Sequence, residues 1–248
     1  MREAHLTLPP LSLNAWLRYD LIERMLDDLP GVTTVLEVGA GQGAIGARLA
    51  LNLEYTGVEP DAASYERAKQ RLDRLGHGRI HRGYVADLPA DLTFDLVCAF
   101  EVLEHIEDDL GALKEWATRA RPGGYVMISS PAWPRRFGSF DRFAGHYRRY
   151  TREGYAELLR EAGCEQVKVL TYGFLLGQVL ERVRNAATSR KGHLGSMEER
   201  TAASGRWGHP ARGDRLTKVA SAPFRILQRP FVHGDAGTGF VAVGRRMH

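Results

Sequence analysis

The sequence predicts a doubly wound α/β domain, a mostly parallel sheet of seven strands with helices on both faces. Three observations carry that reading. An apolar run of Val35, Leu36 and Val38 leads straight into Gly39, Gly41 and Gly43, and residues 44–50 beyond it read as a helix. A strand, a tight glycine turn and a helix N-terminus open nucleotide-binding sheets, because glycine permits positive φ and lets backbone approach a ligand closely. Strand-like and helix-like segments then alternate as far as Tyr172, which implies parallel strands joined by right-handed crossovers. Finally, residues 94–100 are an almost continuous apolar run, as a strand covered on both faces requires.

The elements follow in order. Residues 11–29 place Leu13, Trp16, Leu17, Leu21, Ile22 and Leu26 at helical spacing before Pro30-Gly31 stops them. This amphipathic helix, within a capping segment over residues 1–30, is expected to lie on the mouth of the sheet. Residues 53–59 form a second strand ending at Glu59, and Asp61 caps a helix over 62–75. Residues 80–85 are a third strand running into Ala86-Asp87, and 94–100 a fourth. A short helical stretch at 101–105 is continued by a helix over 108–120. Arg121-Pro122-Gly123-Gly124 stops that helix, and 125–129 are strand five. Residues 131–150 form a loop crowded with Trp133, Phe137, Phe140, Phe143, Tyr147 and arginines. Thr151 caps a helix reaching Ala162, Gly163 ends it, and 166–172 are strand six.

The region 173–236 breaks this rhythm. Residues 174–183 look helical, 184–213 are rich in Gly, Ser and Arg without a period, and 216–227 are amphipathic but interrupted by Pro223. Residues 238–244 read as the last strand. The expected organisation is therefore one domain from 1–172 and 237–248, with 173–236 inserted between strands six and seven. Long insertions in compact domains are often lids or binding loops, so this one is expected to cover or bind the acceptor. Ligands in such sheets bind beyond the carboxyl ends of the strands, and Glu37, Glu59, Asp87 and Glu101 all fall there.

At 248 residues and 44% hydrophobic, the chain is long enough to bury a proper core. It holds no apolar run near the ~18 residues that span a bilayer. Met1 to His5 do not resemble the start of a signal peptide, lacking an apolar stretch, so none is expected. Cys98 and Cys164 sit in or before strands and read as core thiols of a reducing compartment, so a cytoplasmic location is expected. The net charge of +4 is unevenly spread. Residues 1–180 hold 21 Lys and Arg against 25 Asp and Glu, whereas 181–248 hold 13 against 5. A basic region of this kind suits nucleic acid, an anionic surface, or solvent.

The glycine turn satisfies two fingerprints. Gly41-x-Gly43-x-x-Gly46 fits the dinucleotide pattern, with Glu59 near the place of its ribose acid. Taken with its surroundings, however, the chain resembles class I S-adenosylmethionine-dependent methyltransferases over roughly residues 30–172 and the final strand. Glu37-Val38-Gly39-Ala40-Gly41-Gln42-Gly43 matches their E-x-G-x-G-x-G turn, Glu59 the acid ending strand two, Asp87 the acid after strand three, and Arg121-Pro122-Gly123-Gly124 the turn before strand five.

The resemblance implies a Rossmann-like sheet whose last strand is antiparallel, and S-adenosylmethionine as cofactor. Glu59 would take both ribose hydroxyls as a bidentate acceptor, with Pro60 beside it, and Asp87 the adenine amino group. Gly39, Ala40, Gly41 and Gly43 would lie against the methionine part, with Glu37 placing the turn, and Phe100 and Glu101 near the adenosine. Gly46 is then left as a close helix–sheet packing position.

In two groups of this superfamily the pattern Glu101-Val102-Leu103-Glu104-His105 binds a divalent cation. These are the small-RNA 3′-terminal 2′-O-methyltransferases and the ubiquinone-pathway O-methyltransferases. In the RNA enzymes a further His, five residues before a Thr that starts a helix, completes the site, and His146 and Thr151 match it. On a helix, Glu101, Glu104 and His105 would share one face. With His146 they form a ligand set for Mg²⁺ or Mn²⁺. Without a metal, the acids favour a helix N-terminus, and His146 or His105 is the candidate general base.

The aromatics and arginines of 131–150 are candidates for acceptor recognition. Phe224, Ile226, Leu227 and Phe231, alternating with Arg225 and Arg229, suggest peripheral membrane contact through 173–236. The leading expectation is O-methylation of a hydroxyl on a small molecule, glycan or lipid-linked intermediate. An RNA 2′-O-methyltransferase is the alternative, although no RNA-binding module accompanies the domain. A non-catalytic cofactor-binding or membrane-peripheral protein is the reading from another class.

Overall fold

The computed structural model describes residues 8–189 and 214–247. The expectations about Met1 to His5 and about residues 190–213 of the aperiodic stretch 184–213 lie outside the described residues, whereas 184–188 of that stretch are helical. Seven strands form one sheet: β1 (Thr34–Val38), β2 (Glu54–Glu59), β3 (Arg79–Arg82), β4 (Phe94–Phe100), β5 (Ala120–Pro131), β6 (Cys164–Tyr172) and β7 (Gly239–Arg246). Their spatial order is β3-β2-β1-β4-β5-β7-β6. β1 pairs in parallel with both β2 and β4, whereas β7 is antiparallel to both β5 and β6. The chain runs outward from β1 through β2 to β3, then crosses back to lay β4 on the other side of β1. The crevice where that direction reverses lies beyond the carboxyl ends of β1 and β4, the ligand position of open α/β sheets.

The helices are α1 (Leu13–Asp27), α2 (Gly46–Leu49), α3 (Ala62–Leu75), α4 (Asp109–Thr118), α5 (Ser139–Ala144), α6 (Arg152–Glu161), α7 (Leu176–Thr188) and α8 (Asp214–Gln228). Two buried apolar clusters sandwich the sheet. One joins α1 and α3 to Val35, Leu96, Met127 and Val241, and the other joins α4 and α6 to Leu36, Val97, Ile128 and Phe240. Successive strand residues supply opposite clusters because side chains alternate across a strand.

Local signals set several boundaries. The Asp61 carboxylate accepts from the Ser64 N–H at the start of α3, and Thr151 Oγ1 accepts from Gly154 at the start of α6. Each cap stabilises its helix by about 1 kcal/mol.

Three expectations need correction. Residues 101–105 are not one helical face: Glu101 has φ 59°, and only Leu103–His105 form a 3₁₀ turn. The bend sets Val102 against Gly39, where a Cβ on the glycine would lie 2.6 Å from a Val102 methyl. Arg121 to Gly124 do not precede β5 but lie within it, the irregularity being taken up by a register shift between Phe94 and Leu96. Pro223 does not interrupt its helix, since α8 runs through it.

α7 and α8 fall between β6 and β7 and pack on α1, with α7 also on α5. No helix among the described residues is long and apolar enough to cross a membrane.

Candidate active site

A cavity of about 1100 Å³ opens at the carboxyl ends of β1, β2 and β4. It is at the upper end of ordinary small-molecule pockets, with room for a nucleoside cofactor and an acceptor together. Its floor is the glycine turn. Gly39, Gly41 and Gly43 all have positive φ, 66°, 54° and 72°, which side-chain-bearing residues resist. Gly39, Ala40 and Gly41 line the cavity. Gly43, expected at the cofactor, instead faces α3, where a Cβ would come within 2.9 Å of Ala68. Gly46 lies against the Tyr55 ring and Glu37, at the close helix–sheet approach expected of it.

The two strand-end glutamates are held differently. Glu59 accepts from the Gly41 N–H at 2.7 Å and the Asp61 N–H at 2.9 Å, so the carboxylate ties the turn to the end of β2. Burial raises its pKa, and those backbone donors oppose the shift. Pro60 lies beside it on the cavity wall. Glu37 is buried beneath the turn and accepts from the Tyr55 hydroxyl at 2.6 Å. Burial pushes its pKa up to about 8, against the Tyr55 bond and the charge of Arg18. Asp87, expected at the adenine, is exposed and caps its own turn by accepting from the Tyr84 N–H at 2.8 Å. Gly83, Tyr84 and Val85 line the cavity in its place. Phe100 is on the wall as expected.

Glu101 is not grouped with the other metal candidates. Its Oε1 takes Arg18 from α1 at 3.1 Å, Tyr172 from β6 at 3.0 Å and Ser129 from β5 at 3.2 Å, a knot joining three elements across the cavity. Donor atoms of Glu104, His105 and His146, by contrast, lie within 4.8 Å of one another. Glu104 is wholly buried. Its Oε2 accepts from Ser130, which accepts in turn from Tyr155, while Oε1 has no hydrogen-bond partner among the described residues. Burial, then the nearby Glu101 carboxylate, hold the Glu104 pKa well above the usual carboxylate range.

His105 stands edge-on to His146, ring centroids 4.6 Å apart, and is bonded to the Gly145 backbone. Burial, then the neighbouring imidazole, lower its pKa to about 3, so it is neutral. His146 Nδ1 pairs with Asp141 Oδ1 at 2.8 Å. Asp141 is itself gripped by Arg149 at 2.7 Å through both guanidinium contacts, and Arg149 continues to Glu181 of α7 at 2.5 Å. Burial works against the Asp141 charge, but His146 and Arg149 outweigh it and its pKa falls well below normal.

Sequence reasoning missed Arg18, Tyr55, Asp141, Arg149, Tyr172 and Glu181. Two of these had a signal: Arg18 interrupts the apolar spacing of α1, and Asp141 precedes His146 by five residues. Of the aromatic loop, Phe140 reaches the cavity. Trp133 and Tyr150 are core residues, Trp133 donating to the Gly237 carbonyl and Tyr150 to Asp109.

A seven-stranded sheet in this order, with a glycine turn after β1 and an acid ending β2, defines the class I S-adenosylmethionine-dependent methyltransferase architecture. Residues 13–169 match the family model of a methyltransferase domain, and the chain belongs to that family. An "Uncharacterized methyltransferase" of Mycobacterium sp. (strain JLS) is 33% identical over 130 residues, 52% of this chain and 50% of its own length. A "Probable S-adenosylmethionine-dependent methyltransferase" of Mycolicibacterium smegmatis is 31% identical over 168 residues, 64% of this chain and 63% of its own. The chain thus spans about half the length of the first of these relatives. Among solved structures, the N-methyltransferase NodS of Bradyrhizobium japonicum aligns with a TM-score of 0.56 at 16% identity, over 93% of this chain and 95% of its own. The geranyl diphosphate C-methyltransferase of Streptomyces coelicolor aligns at 0.58 and 15% identity, over 93% and 80%. Likeness at these identities shows the fold alone.

Proposed function

We propose that this protein transfers the methyl group of S-adenosylmethionine to a hydroxyl of a small molecule, glycan or lipid-linked intermediate, with a divalent cation, Mg²⁺ or Mn²⁺, held by Glu104, His105 and His146. One observation carries this reading. The three donors converge from two separate segments inside the cavity that holds the glycine turn, and one of them presents a buried carboxylate oxygen without a partner among the described residues. An unpaired buried carboxylate is costly unless a cation or a proton neutralises it. The surroundings fit a metal: Asp141 behind His146 and the Gly145 backbone behind His105 set ring orientation as the outer partners of ligating histidines do.

When bound, such a cation lowers the pKa of a coordinated alcohol and so supplies a nucleophile at neutral pH. The rest of the work belongs to the chain. Glu59 and the backbone of Gly39 to Gly41 seat the ribose and methionine ends of the cofactor. Glu101, locked by Arg18 and Tyr172, fixes the wall between cofactor and acceptor. Methyl transfer from a sulfonium is an in-line displacement, so holding acceptor and methyl in near-attack geometry provides much of the acceleration.

The 2.8 Å pairing of His146 with Asp141 also supports a metal-free reading, in which His146 takes the hydroxyl proton and Asp141 holds its tautomer. Chelation separates the two. Under the metal reading EDTA abolishes turnover, added Mg²⁺ or Mn²⁺ restores it, and Glu104→Ala removes both turnover and metal binding. Turnover indifferent to EDTA and to Glu104→Ala would sink it. A methylated RNA 3′ end, with binding that weakens steeply in salt, would move the acceptor from small molecules to RNA.

A further inference from the structure

Helix α8 is built inside out. Its inward face is largely polar. Asp214 accepts from Arg48 at 2.8 Å, Thr217 from the Trp16 indole at 3.3 Å, and buried Gln228 donates to the Leu17 carbonyl while accepting from Gly173. Its outward face, at helical spacing, is Leu216, Val219, Pro223, Ile226 and Leu227, with Leu216 73%, Val219 70% and Ile226 62% exposed. Surface helices of globular proteins place these residue types the other way round. Phe224, grouped with this face on sequence alone, turns inward and packs on the core.

α7 repeats the pattern. Its Glu181 and Arg184 line the cavity, while Val179 and Val183, more than half exposed, point away. The start of α7 and the end of α8 are brought near each other where Phe174, just before the one, stacks on Phe231, just after the other, ring centroids 4.0 Å apart. Charge is sorted in the same way. The acids of these helices, Glu181 and Asp214, are turned inward and paired with Arg149 and Arg48. The exposed charges, Arg182, Arg215 and Lys218, with Arg229 just beyond, are all cations.

We infer that α8 and the adjoining outer face of α7 dock this protein on an anionic lipid bilayer. A helix with an apolar face and basic flanks lies in the plane of the interface, its apolar side chains at the acyl boundary and its cations among headgroups. A second copy would cover the same apolar residues, but a two-fold contact through this face sets the cations of one protomer against those of its partner. The surface stands independently of the chemistry proposed for the cavity. Because α7 is both cavity wall and docking face, a lipid-linked acceptor would meet the cavity at the bilayer.

Co-sedimentation of the full chain with vesicles tests this. Phosphatidylcholine mixed with an equal part of phosphatidylglycerol should pull the protein down, phosphatidylcholine alone should leave it in solution, and added salt should release it. Replacing two exposed residues, Val219→Asp with Ile226→Asp, should weaken vesicle binding by about tenfold or more while thermal unfolding and cofactor affinity stay unchanged. No binding to the anionic vesicles overturns the inference, as does binding that the double variant leaves intact. A concentration-dependent dimer in sedimentation velocity, dissolved by the same two substitutions, would also overturn it and assign the face to a second copy.

Discussion

The Tyr55 hydroxyl donates to Glu37 Oε2 at 2.6 Å, and Gly46 sits against that bond so tightly that a Cβ would fall 2.5 Å from the ring carbon bearing the hydroxyl and 2.9 Å from the carboxylate. A buried polar pair, a strand and a short helix are thereby fitted together beneath the cofactor turn. Gly46→Ala should destabilise the protein by about 1–3 kcal/mol through overpacking, lowering the melting temperature by several degrees. The same change at Gly76, where an added Cβ would meet no described residue within 4 Å beyond its chain neighbours, should produce only the smaller cost of its positive φ. Equal losses at the two positions in thermal unfolding would show that the close approach is not real.

Glu37 makes stability depend on pH in a stated direction. Its pKa is raised in the folded protein to about 8 from an ordinary value of 4.5. A group with a raised native pKa contributes stability that is complete below the unfolded value and disappears as pH climbs through the folded one. The gap between Glu37→Gln and wild type should therefore widen in favour of the variant from about pH 4.5 to about 8, then level off. Denaturant titrations across that range measure it, and a gap that stays flat counts against a buried, proton-bearing Glu37.

Binding a sulfonium beside Glu37 should push the same pKa down. Around neutral pH, S-adenosylmethionine should release more protons on binding than the uncharged-sulfur product S-adenosylhomocysteine does. Calorimetry in buffers of differing ionisation enthalpy reads this directly. The difference should vanish in Glu37→Gln.

Glu59 both receives two backbone N–H groups and faces the cavity. Glu59→Ala should weaken S-adenosylmethionine binding by roughly 10- to 100-fold, the size expected for hydrogen bonds to a charged acceptor. Glu59→Gln should fall between. Unchanged affinity in the alanine variant would move the ribose elsewhere in the cavity.

Arg18 and Glu101 should be energetically coupled. Removing Arg18 alone strands a half-buried carboxylate, and removing Glu101 alone strands a buried guanidinium. The double variant Arg18→Met with Glu101→Gln should cost less than the two single changes added together, by about 1–3 kcal/mol. Strict additivity would make the 3.1 Å contact incidental.

Much of this architecture was legible because local chemistry wrote it. The range of α3 followed from its Asp61 cap and apolar spacing, and β4 from an apolar run too uniform for a one-faced strand. The glycine turn and Glu59 were readable for the same reason. What escaped depended on neighbours distant in sequence. Glu101 leaves helical geometry and Val102 lies against Gly39, and nothing in residues 101–105 records that contact. Pro223 is tolerated because α8 lies at the surface, with the proline on its exposed side. Asp87 is the local exception: it has the expected residue type at that strand end, and its carboxylate accepts from the Tyr84 N–H three residues back in its own turn. The Glu104, His105 and His146 grouping was visible only through resemblance, and Asp141, Arg149 and Glu181 behind it only in three dimensions.

Among the described residues β7 is the sole sheet neighbour of β6, and it also covers one edge of β5. The segment that joins them, residues 239–246, follows in sequence everything it holds together. During synthesis β5 and β6 must therefore wait with unpaired edges, one a full strand-width from its eventual place, until the last strand emerges and slides between them. Such edges invite wrong pairing, so the nascent protein is most vulnerable to aggregation in the interval between the synthesis of β6 and that of β7. Losing only those few residues would sever β6 from the sheet and bare the two strand borders, one on β5 and one on β6, that β7 covers.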